Sequence, residues 1–308
     1  MKLIFMGSAA FAVPSLDALT RGPHEILEVV TQPDKPAGRG MRTHACVVAE
    51  FARSRGISLY QPKSVKVPEA IEHIGQMKPD LIVVVAYGKI LPKALLEIPP
   101  HGCVNVHASL LPRYRGAAPI NWAIVNGESE TGVTTQRIVE ELDAGDILLS
   151  VKTKIDEAET ADGLYDRLAL MGADLLLETV DGIEKGTLKP VPQDPSQATF
   201  APIIKKEDGH IDWSMSASSI YDRIRGFKPW PGSFSFLDGK QLKVIEAAPA
   251  EMPASDEPGT IVECDKHLAV ACGDGVLYLL EVQPEGRKGM PASDFLRGHR
   301  VQRGAKLT

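Results

Sequence analysis

Cysteine is scarce in this chain of 308 residues, and the few cysteines are scattered. The four are Cys46, Cys103, Cys264 and Cys272, and none belongs to a C-x-x-C pair. This pattern argues against a disulfide framework and a zinc site, and it is typical of reduced thiols in the cytoplasm. We therefore predict a cytoplasmic protein with no metal site.

The sequence also lacks a long apolar run. No stretch of 18 apolar residues occurs, so we predict no membrane span. The first 12 residues could form a signal peptide or a buried strand over residues 2–6. We favour the strand, because a single Lys precedes the apolar run and Asp17 follows soon after. The turn at Gly7 lacks the G-x-G-x-x-G fingerprint, which argues against a dinucleotide cofactor.

An excess of positive charge is missing too. The chain has 34 Lys and Arg against 40 Asp and Glu, which gives a net charge of −6. The chain as a whole is therefore no basic nucleic-acid binder, and any site for a polyanion must be a local patch. The hydrophobic content of 44% is ordinary for a globular protein and allows a sizeable core.

The order of strands and helices predicts an α/β protein with two domains. In residues 1–188, apolar strands alternate with helical segments, and the run at 81–86 has the continuous hydrophobicity of a buried parallel strand. We predict a Rossmann-like parallel-sheet domain there. Residues 189–206 contain four prolines and are predicted to be a linker. Five short strands in residues 207–308 predict a small OB-like β-barrel.

The segment from Cys103 to Gly116 carries the most informative polar residues. A short apolar strand contains Asn105 and His107, which at positions i and i+2 point to the same face. An amide can hold an oxyanion and an imidazole can move a proton, so the pair suits acyl chemistry. Alternatively, both are ordinary turn residues. Asp143, in a turn-like stretch, could orient the imidazole.

These residues carry a family resemblance. Asn105-Val-His107-Ala-Ser109-Leu-Leu-Pro112, followed by Arg115-Gly116 and by residues 142–146, resembles the formyltransferases that use 10-formyltetrahydrofolate. The resemblance implies that the catalytic residues are Asn105, His107 and Asp143. It also implies a folate site at Ser109, Leu110, Leu111 and Pro112, with Tyr87, Gly88 and Ile90 lining the pterin pocket. The chain departs from the family in its first turn, where it has Gly7-Ser-Ala-Ala-Phe11 and the family usually has Gly-Thr-Pro-Asp-Phe.

A basic loop points to one branch of the family. Residues 32–42 are rich in Pro and Gly and carry Lys35, Arg39 and Arg42, so the loop is predicted to be neither a helix nor a central strand. It is either a solvated loop or a finger that contacts phosphate or a base edge. It resembles the loop of the branch that formylates initiator methionyl-tRNA. Further candidate tRNA contacts are Lys205, Lys206, Arg297 and Arg300.

Two other functions are considered. A small-molecule formyltransferase would act on a glycinamide or an amino-sugar nucleotide, and a non-catalytic module would only bind folate or RNA. Glycinamide-type enzymes are about one domain long, whereas this chain adds a linker and a barrel. The basic loop favours the tRNA branch over the amino-sugar enzymes, and the intact Asn105, His107 and Asp143 argue against a non-catalytic module. We expect a monomer with folate and initiator methionyl-tRNA as partners.

Overall fold

The computed structural model describes residues 1–37, 42–44, 46–253 and 256–308, with only the backbone described at 35–37 and 42–44. It separates into two compact units. The first consists of residues 1–116, 131–154 and 165–201, and the second of residues 117–130, 155–164 and 202–308. Among the described residues, no helix is both long and apolar enough to cross a membrane.

The first half of the chain alternates strands and helices. In order they are β1 (Lys2–Gly7), α1 (Ala12–Arg21), β2 (Glu25–Val30), β3 (Lys35–Ala37), β4 (Arg42–His44), α2 (Val47–Ser54), β5 (Leu59–Tyr60), α3 (Pro68–Gln76), β6 (Leu81–Val85), α4 (Lys93–Leu96), β7 (Cys103–His107), β8 (Arg115–Gly116), α5 (Pro119–Val125), β9 (Glu130–Arg137), β10 (Ile147–Lys154), α6 (Ala161–Glu184) and β11 (Phe200–Ala201).

The first unit is built on a seven-stranded sheet in the order β10-β9-β7-β6-β1-β2-β5. The five strands from β7 to β5 are parallel, which confirms the α/β prediction. β9 runs antiparallel to β7, so the sheet is mixed rather than wholly parallel. Sequence alternation predicts β9 as a strand, but alternation carries no information about strand direction.

Helix α6 covers one face of this sheet. A Cβ added at Gly172 would lie 3.0 Å from Cγ1 of Val106, so the helix packs closely on the face of β7 that carries Val106. Side chains alternate across a strand, so Asn105 and His107 point to the other face. The buried apolar cluster on that face includes Val84 and Tyr87. The two polar residues therefore stand at the edge of a packed core.

The second unit contains α5 and an antiparallel sheet. Its later elements are α7 (Ala217–Gly226), β12 (Ser233–Leu237), β13 (Lys240–Ala250), β14 (Ile261–Glu263), β15 (Leu268–Ala271), β16 (Val276–Pro284), β17 (Met290–Pro291) and α8 (Ala292–Gly298). The strand order is β12-β13-β16-β15-β14, with β17 paired to β16. The five predicted strands are present. The two-residue β17 and the seven-residue α8 were not predicted, because such short elements carry no periodic signal.

The C-terminal residues join the two edge strands of this sheet. Leu307 forms a bridge with Leu237 at the end of β12, and Lys306 forms one with Thr260 beside β14. Backbone bonds in both directions between Phe236 and Thr308, at 2.9 and 3.0 Å, strengthen the first connection. The tail thus pairs with part of each edge and links the two, as expected for a small barrel.

Candidate active site

Strand β7 brings Asn105 and His107 to the carboxyl end of the parallel sheet. Asn105 is paired with Val84 on β6 and with Gln136 on β9, and His107 is paired with Thr134 on β9. Paired residues on neighbouring strands share a face, so the amide, the imidazole and the Gln136 side chain lie together. Ligands of open α/β sheets bind at this edge.

The turn after β9 places the carboxylate of Asp143 among these groups. Its Oδ2 accepts a hydrogen bond from the backbone N–H of Gly116 at 2.9 Å. Its Oδ1 accepts from Nε2 of Gln136 at 2.9 Å and, more weakly, from Nδ2 of Asn105 at 3.4 Å. The side chain is 12% exposed. The structure thus brings the three predicted catalytic residues into one cluster.

The backbone of this turn is unusual. Asp143 has a φ of +49°, in the left-handed region that side chains rarely adopt. A Cβ at Gly145 would lie 1.9 Å from the carbonyl oxygen of Arg137, so only glycine fits there. A left-handed non-glycine residue costs on the order of 1–3 kcal/mol and persists only where its surroundings hold it.

The ring of His107 is held from the side away from Asp143. Its Nε2 lies 2.9 Å from the carbonyl oxygen of Tyr114. A carbonyl only accepts, so Nε2 must carry a hydrogen, and Nδ1 is the nitrogen left to exchange a proton. Nδ1 faces Oδ2 of Asp143 at 3.7 Å, and the imidazole is only 6% exposed. The hydrogen bond that fixes the ring therefore involves the Tyr114 carbonyl, while the Asp143 carboxylate faces the other ring nitrogen.

The predicted folate segment 109–112 forms a tight, internally bonded turn. The Ser109 side chain donates to the carbonyl of Arg113 at 2.6 Å, and the hydroxyl of Thr134 donates to the carbonyl of Ser109 at 2.7 Å. The backbone N–H of Leu111 donates to that same hydroxyl at 3.2 Å. Ser109 and Leu111 are buried, whereas Leu110 and Pro112 are partly exposed. These bonds make the turn a rigid wall beside His107.

The second predicted folate segment is the loop after β6. The Tyr87 side chain is 2% exposed within the apolar cluster, and burial raises the pKa of its hydroxyl to about 12. Its carbonyl accepts a bond of 2.8 Å from Nε2 of Gln32. Gly88 has a φ of +74°, and Ile90 is 67% exposed. Tyr87 thus supports the loop from inside, while Ile90 is the side chain that a ligand could contact.

A cavity of about 370 Å³ adjoins this loop. Its lining residues are Lys63, Ser64, Val65, Lys66, Gly88, Lys89 and Ile90. The three lysines are exposed and suit an anionic group.

The predicted basic loop falls partly outside the described residues. Lys35 begins β3 and Arg42 begins β4, and these two strands pair as an antiparallel hairpin rather than joining the central sheet. The position of Arg39 lies outside the described residues.

The remaining candidate tRNA contacts belong to the second unit. Lys205 and Lys206 are exposed at the start of a short 3-10 helix, Lys206–Gly209. Arg297 is 76% exposed and pairs with Asp294 one helical turn away. Arg300 is also exposed, and no described carboxylate pairs with it. Arg300 is therefore the less neutralised of the two arginines.

Three residues of the cluster were not predicted from the sequence. Gln136 binds Asp143 directly, but it lies in the mostly polar strand β9, so nothing in the sequence sets it apart. Gln193 binds the Asp143 turn, and Arg115 binds Gln193. Gln193 lies in the proline-rich stretch predicted to be a linker, where no periodic signal marks it.

One group of metal-ligand types occurs among the described residues, at His24, Asp181 and Glu184. The N-terminal ammonium of Met1 already contacts Glu184 at 2.8 Å and Nδ1 of His24 at 3.3 Å. Nε2 of His24 lies 3.3 Å from Asp181. The three side chains are therefore explained as polar partners of the N-terminal ammonium and of one another.

Family models match most of the chain, and known proteins match its whole length. Residues 1–180 match the formyl transferase family, and residues 203–300 match the C-terminal domain of formyl transferases. A methionyl-tRNA formyltransferase of Citrifermentans bemidjiense is 50% identical over 308 residues, covering 100% of this chain and 96% of the relative. One from Caldanaerobacter subterraneus subsp. tengcongensis is 48% identical and covers 100% of both chains.

Solved structures show the same fold at lower identity. An N-formyltransferase from Helicobacter canadensis, in complex with folinic acid and dTDP-3-aminofucose, has a TM-score of 0.65 and 18% identity, covering 92% of this chain and 99% of that one. HypX from Aquifex aeolicus, in complex with tetrahydrofolic acid, has a TM-score of 0.64 and 19% identity, covering 96% of this chain and 47% of that one. At this identity the likeness concerns the fold alone.

Proposed function

The chain belongs to the methionyl-tRNA formyltransferase family and transfers a formyl group from a formyl-folate to methionyl-tRNA, and we propose that Asn105, His107 and Asp143 carry out this transfer. The observation that supports the assignment is the Asp143 carboxylate, which lies within 3.4 Å of the Asn105 amide and 3.7 Å of the His107 ring. We propose 10-formyltetrahydrofolate as the donor, without a metal or a dinucleotide.

The reaction begins when the free amine of the aminoacyl ester attacks the formyl carbon. The new C–N bond converts the carbonyl into a tetrahedral oxyanion, which needs hydrogen-bond donors. Nδ2 of Asn105 has only a long bond of 3.4 Å to Asp143, so it can turn to the oxyanion at little cost. His107, protonated on Nδ1, supplies the second donor, and Asp143 balances its charge.

Collapse of the intermediate breaks the bond between the formyl carbon and the folate nitrogen. The leaving nitrogen takes the proton from Nδ1 of His107. The attacking amine loses one proton to a water held near Asp143, and that proton restores the imidazolium. Proton number is therefore balanced over the cycle, and the products are the formamide and tetrahydrofolate.

The folate is proposed to bind between two walls at the carboxyl ends of the strands. The rigid turn 109–112 forms one wall, and the loop with Tyr87, Gly88 and Ile90 forms the other. Partly exposed Leu110 and exposed Ile90 offer apolar contact to a flat heterocycle. We assign residues 1–188 to catalysis, 189–206 to a linker and 207–308 to tRNA binding.

Initiator methionyl-tRNA is proposed to bind through local basic groups, because the net charge is −6. Lys35, Arg39 and Arg42 would contact the acceptor end. The second unit would contribute Lys205, Lys206, Arg297 and Arg300. We further propose that the enzyme acts as a monomer in the cytoplasm, which gel filtration and fractionation would test.

The deciding experiment measures formyl transfer from 10-formyltetrahydrofolate to charged initiator tRNA. Glycinamide ribonucleotide and an amino-sugar nucleotide serve as competing acceptors under the same conditions. We expect turnover with the tRNA to exceed turnover with either small acceptor by at least about 10³ in kcat/KM, which is about 4 kcal/mol of discrimination. Faster transfer to a small acceptor would overturn the assignment.

The tRNA contacts are tested by charge removal. Neutralising Arg297 and Arg300 together should make the slope of log K for tRNA binding against log salt concentration shallower. The change should correspond to the loss of about two phosphate contacts at most. Arg39→Ala should instead reduce the preference for initiator tRNA over a charged tRNA with an intact first base pair. Lys185→Ala, which removes an exposed charge at the end of α6, serves as the control.

A further inference from the structure

The side chain of Gln193 is bonded to both ends of the turn that carries the catalytic carboxylate. Its Nε2 donates to the carbonyl oxygen of Asp143 at 2.8 Å and to that of Gly145 at 2.7 Å. Oε1 of Gln136 lies 3.2 Å from the same nitrogen. An amide nitrogen has two hydrogens, so the two short bonds use its full capacity.

A buried arginine fixes the orientation of this amide. Nε and Nη2 of Arg115 both approach Oε1 of Gln193, at 3.0 and 2.9 Å. The Arg115 side chain is 4% exposed, and its Nη1 contacts Glu141 at 3.2 Å. A guanidinium only donates, so Oε1 must face Arg115 and the NH₂ group must face the turn. Gln193 is therefore held in the one orientation that can bind the turn.

The turn needs such support. Asp143 has a φ of +49°, a conformation that a non-glycine residue keeps only when its surroundings impose it. Gln193 binds the carbonyl of Asp143 itself and the carbonyl two residues later. It also contacts Gln136, which donates a hydrogen bond of 2.9 Å to the Asp143 carboxylate.

We propose that Gln193 is a positioning residue for formyl transfer, which holds the Asp143 turn so that its carboxylate faces Asn105 and His107. The inference rests on the proposed function, since it assumes that Asp143 serves the reaction. Gln193 lies in the proline-rich segment that follows α6, within the same compact unit as the site. That segment then belongs to the active site rather than only connecting two domains.

The first experiment compares Gln193→Ala with Gln197→Ala. Gln197 is exposed in the same segment, and among the described residues its side chain bonds only to the exposed Asp194, so it is a matched control. We expect Gln193→Ala to lower kcat by about 10- to 100-fold, as a misplacement of about 1 Å can do, with KM for tRNA and folate changed less than about threefold. The control should keep wild-type kcat.

A second variant separates positioning from support of the buried arginine. Gln193→Glu keeps an oxygen for Arg115 but replaces the NH₂ donor with an oxygen that faces two carbonyls. If the bonds from Gln193 to the turn support catalysis, kcat of this variant should fall at least as far as that of Gln193→Ala. Its Tm should stay within a few degrees of wild type. Wild-type kcat in Gln193→Glu would overturn the proposal, because only the contact with Arg115 would then count.

A double-mutant cycle provides the sharpest test. If Gln193 acts through Asp143, then Gln193→Glu should slow single-turnover transfer less than about threefold in an Asp143→Asn background. Equal losses in both backgrounds would overturn the proposal. Every rate is compared with wild-type transfer to methionyl-tRNA. Failure of the wild type itself would refute the proposed function and is therefore distinguishable from failure of this inference.

Discussion

Replacing Asp143 with asparagine tests the proposed chemistry most directly. The substitution keeps the size of the side chain but removes its charge and one acceptor. The native carboxylate accepts from Gly116, Gln136 and Asn105 and faces the His107 ring at 3.7 Å. Whichever way the new amide turns, its NH₂ group meets a donor, so at least one of these bonds is lost.

The expected magnitude follows from the geometry. Two unit charges about 4 Å apart interact by about 4 kcal/mol at an effective dielectric constant of about 20. Asp143 and His107 are 12% and 6% exposed, so solvent screens them weakly. If the protonated imidazole depends on this carboxylate, its loss should slow transfer by about 10³-fold, since 1.36 kcal/mol is tenfold. Loss of an oxyanion donor has a similar cost of about 10²–10³.

The assay is single-turnover formylation of initiator methionyl-tRNA, with folding checked by circular dichroism. Glu140→Gln provides the control, because Glu140 is an exposed carboxylate just before the same turn. We expect it to retain wild-type kcat. A rate for Asp143→Asn within fivefold of wild type would refute the charge role assigned to this residue.

Three further predictions concern the folate wall, the second unit and the thiols. Leu110→Ala should raise the Kd of a folate analogue, measured by fluorescence titration, more than the Kd of tRNA. Ser235→Ala should lower the free energy of unfolding by about 1–3 kcal/mol in urea titrations, because the buried Nε1 of Trp213 loses its acceptor at 2.9 Å; an unchanged midpoint would contradict this. Burial raises the pKa of Cys103 to about 12, so at pH 8 iodoacetamide should label half-buried Cys264 before Cys103; labelling of Cys103 first, detected by mass spectrometry, would be inconsistent with this burial.

The fold was largely predictable because its strands are strongly patterned. The strand predicted over residues 2–6 is observed as β1, Lys2–Gly7, and the run at 81–86 as β6, Leu81–Val85, so each differs by one residue. Strand direction was not predictable, since β9 shows the same alternation whether it runs parallel or antiparallel to β7. The closure of the second sheet by residues 304–308 also lies outside the reach of periodicity, because it depends on isolated long-range bridges.

The candidate site was predictable where neighbouring residues form a motif and unpredictable where contacts are long-range. Asn105 and His107 lie two residues apart on one strand, so their shared face follows from strand geometry. The bond between Gln193 and the Asp143 turn spans 50 residues and no local pattern marks it. The role of Tyr114 was equally hidden, because its backbone carbonyl rather than its side chain holds the imidazole.

Backbone conformation explains how the site can be ready before its substrates arrive. Three non-glycine residues with positive φ, among five in the described chain, lie in loops of the site: Ala86, Tyr114 and Asp143. The carbonyl of Ala86 accepts from two N–H groups of the first turn at 3.3 Å, and that of Tyr114 holds the His107 ring. The carboxylate of Asp143 faces both Asn105 and His107. Such conformations persist only when many contacts impose them, so the energy needed to assemble the site is supplied by folding. In the proposed mechanism, transfer then requires only a small movement of Asn105 and short proton transfers, so little reorganisation is needed to reach the transition state.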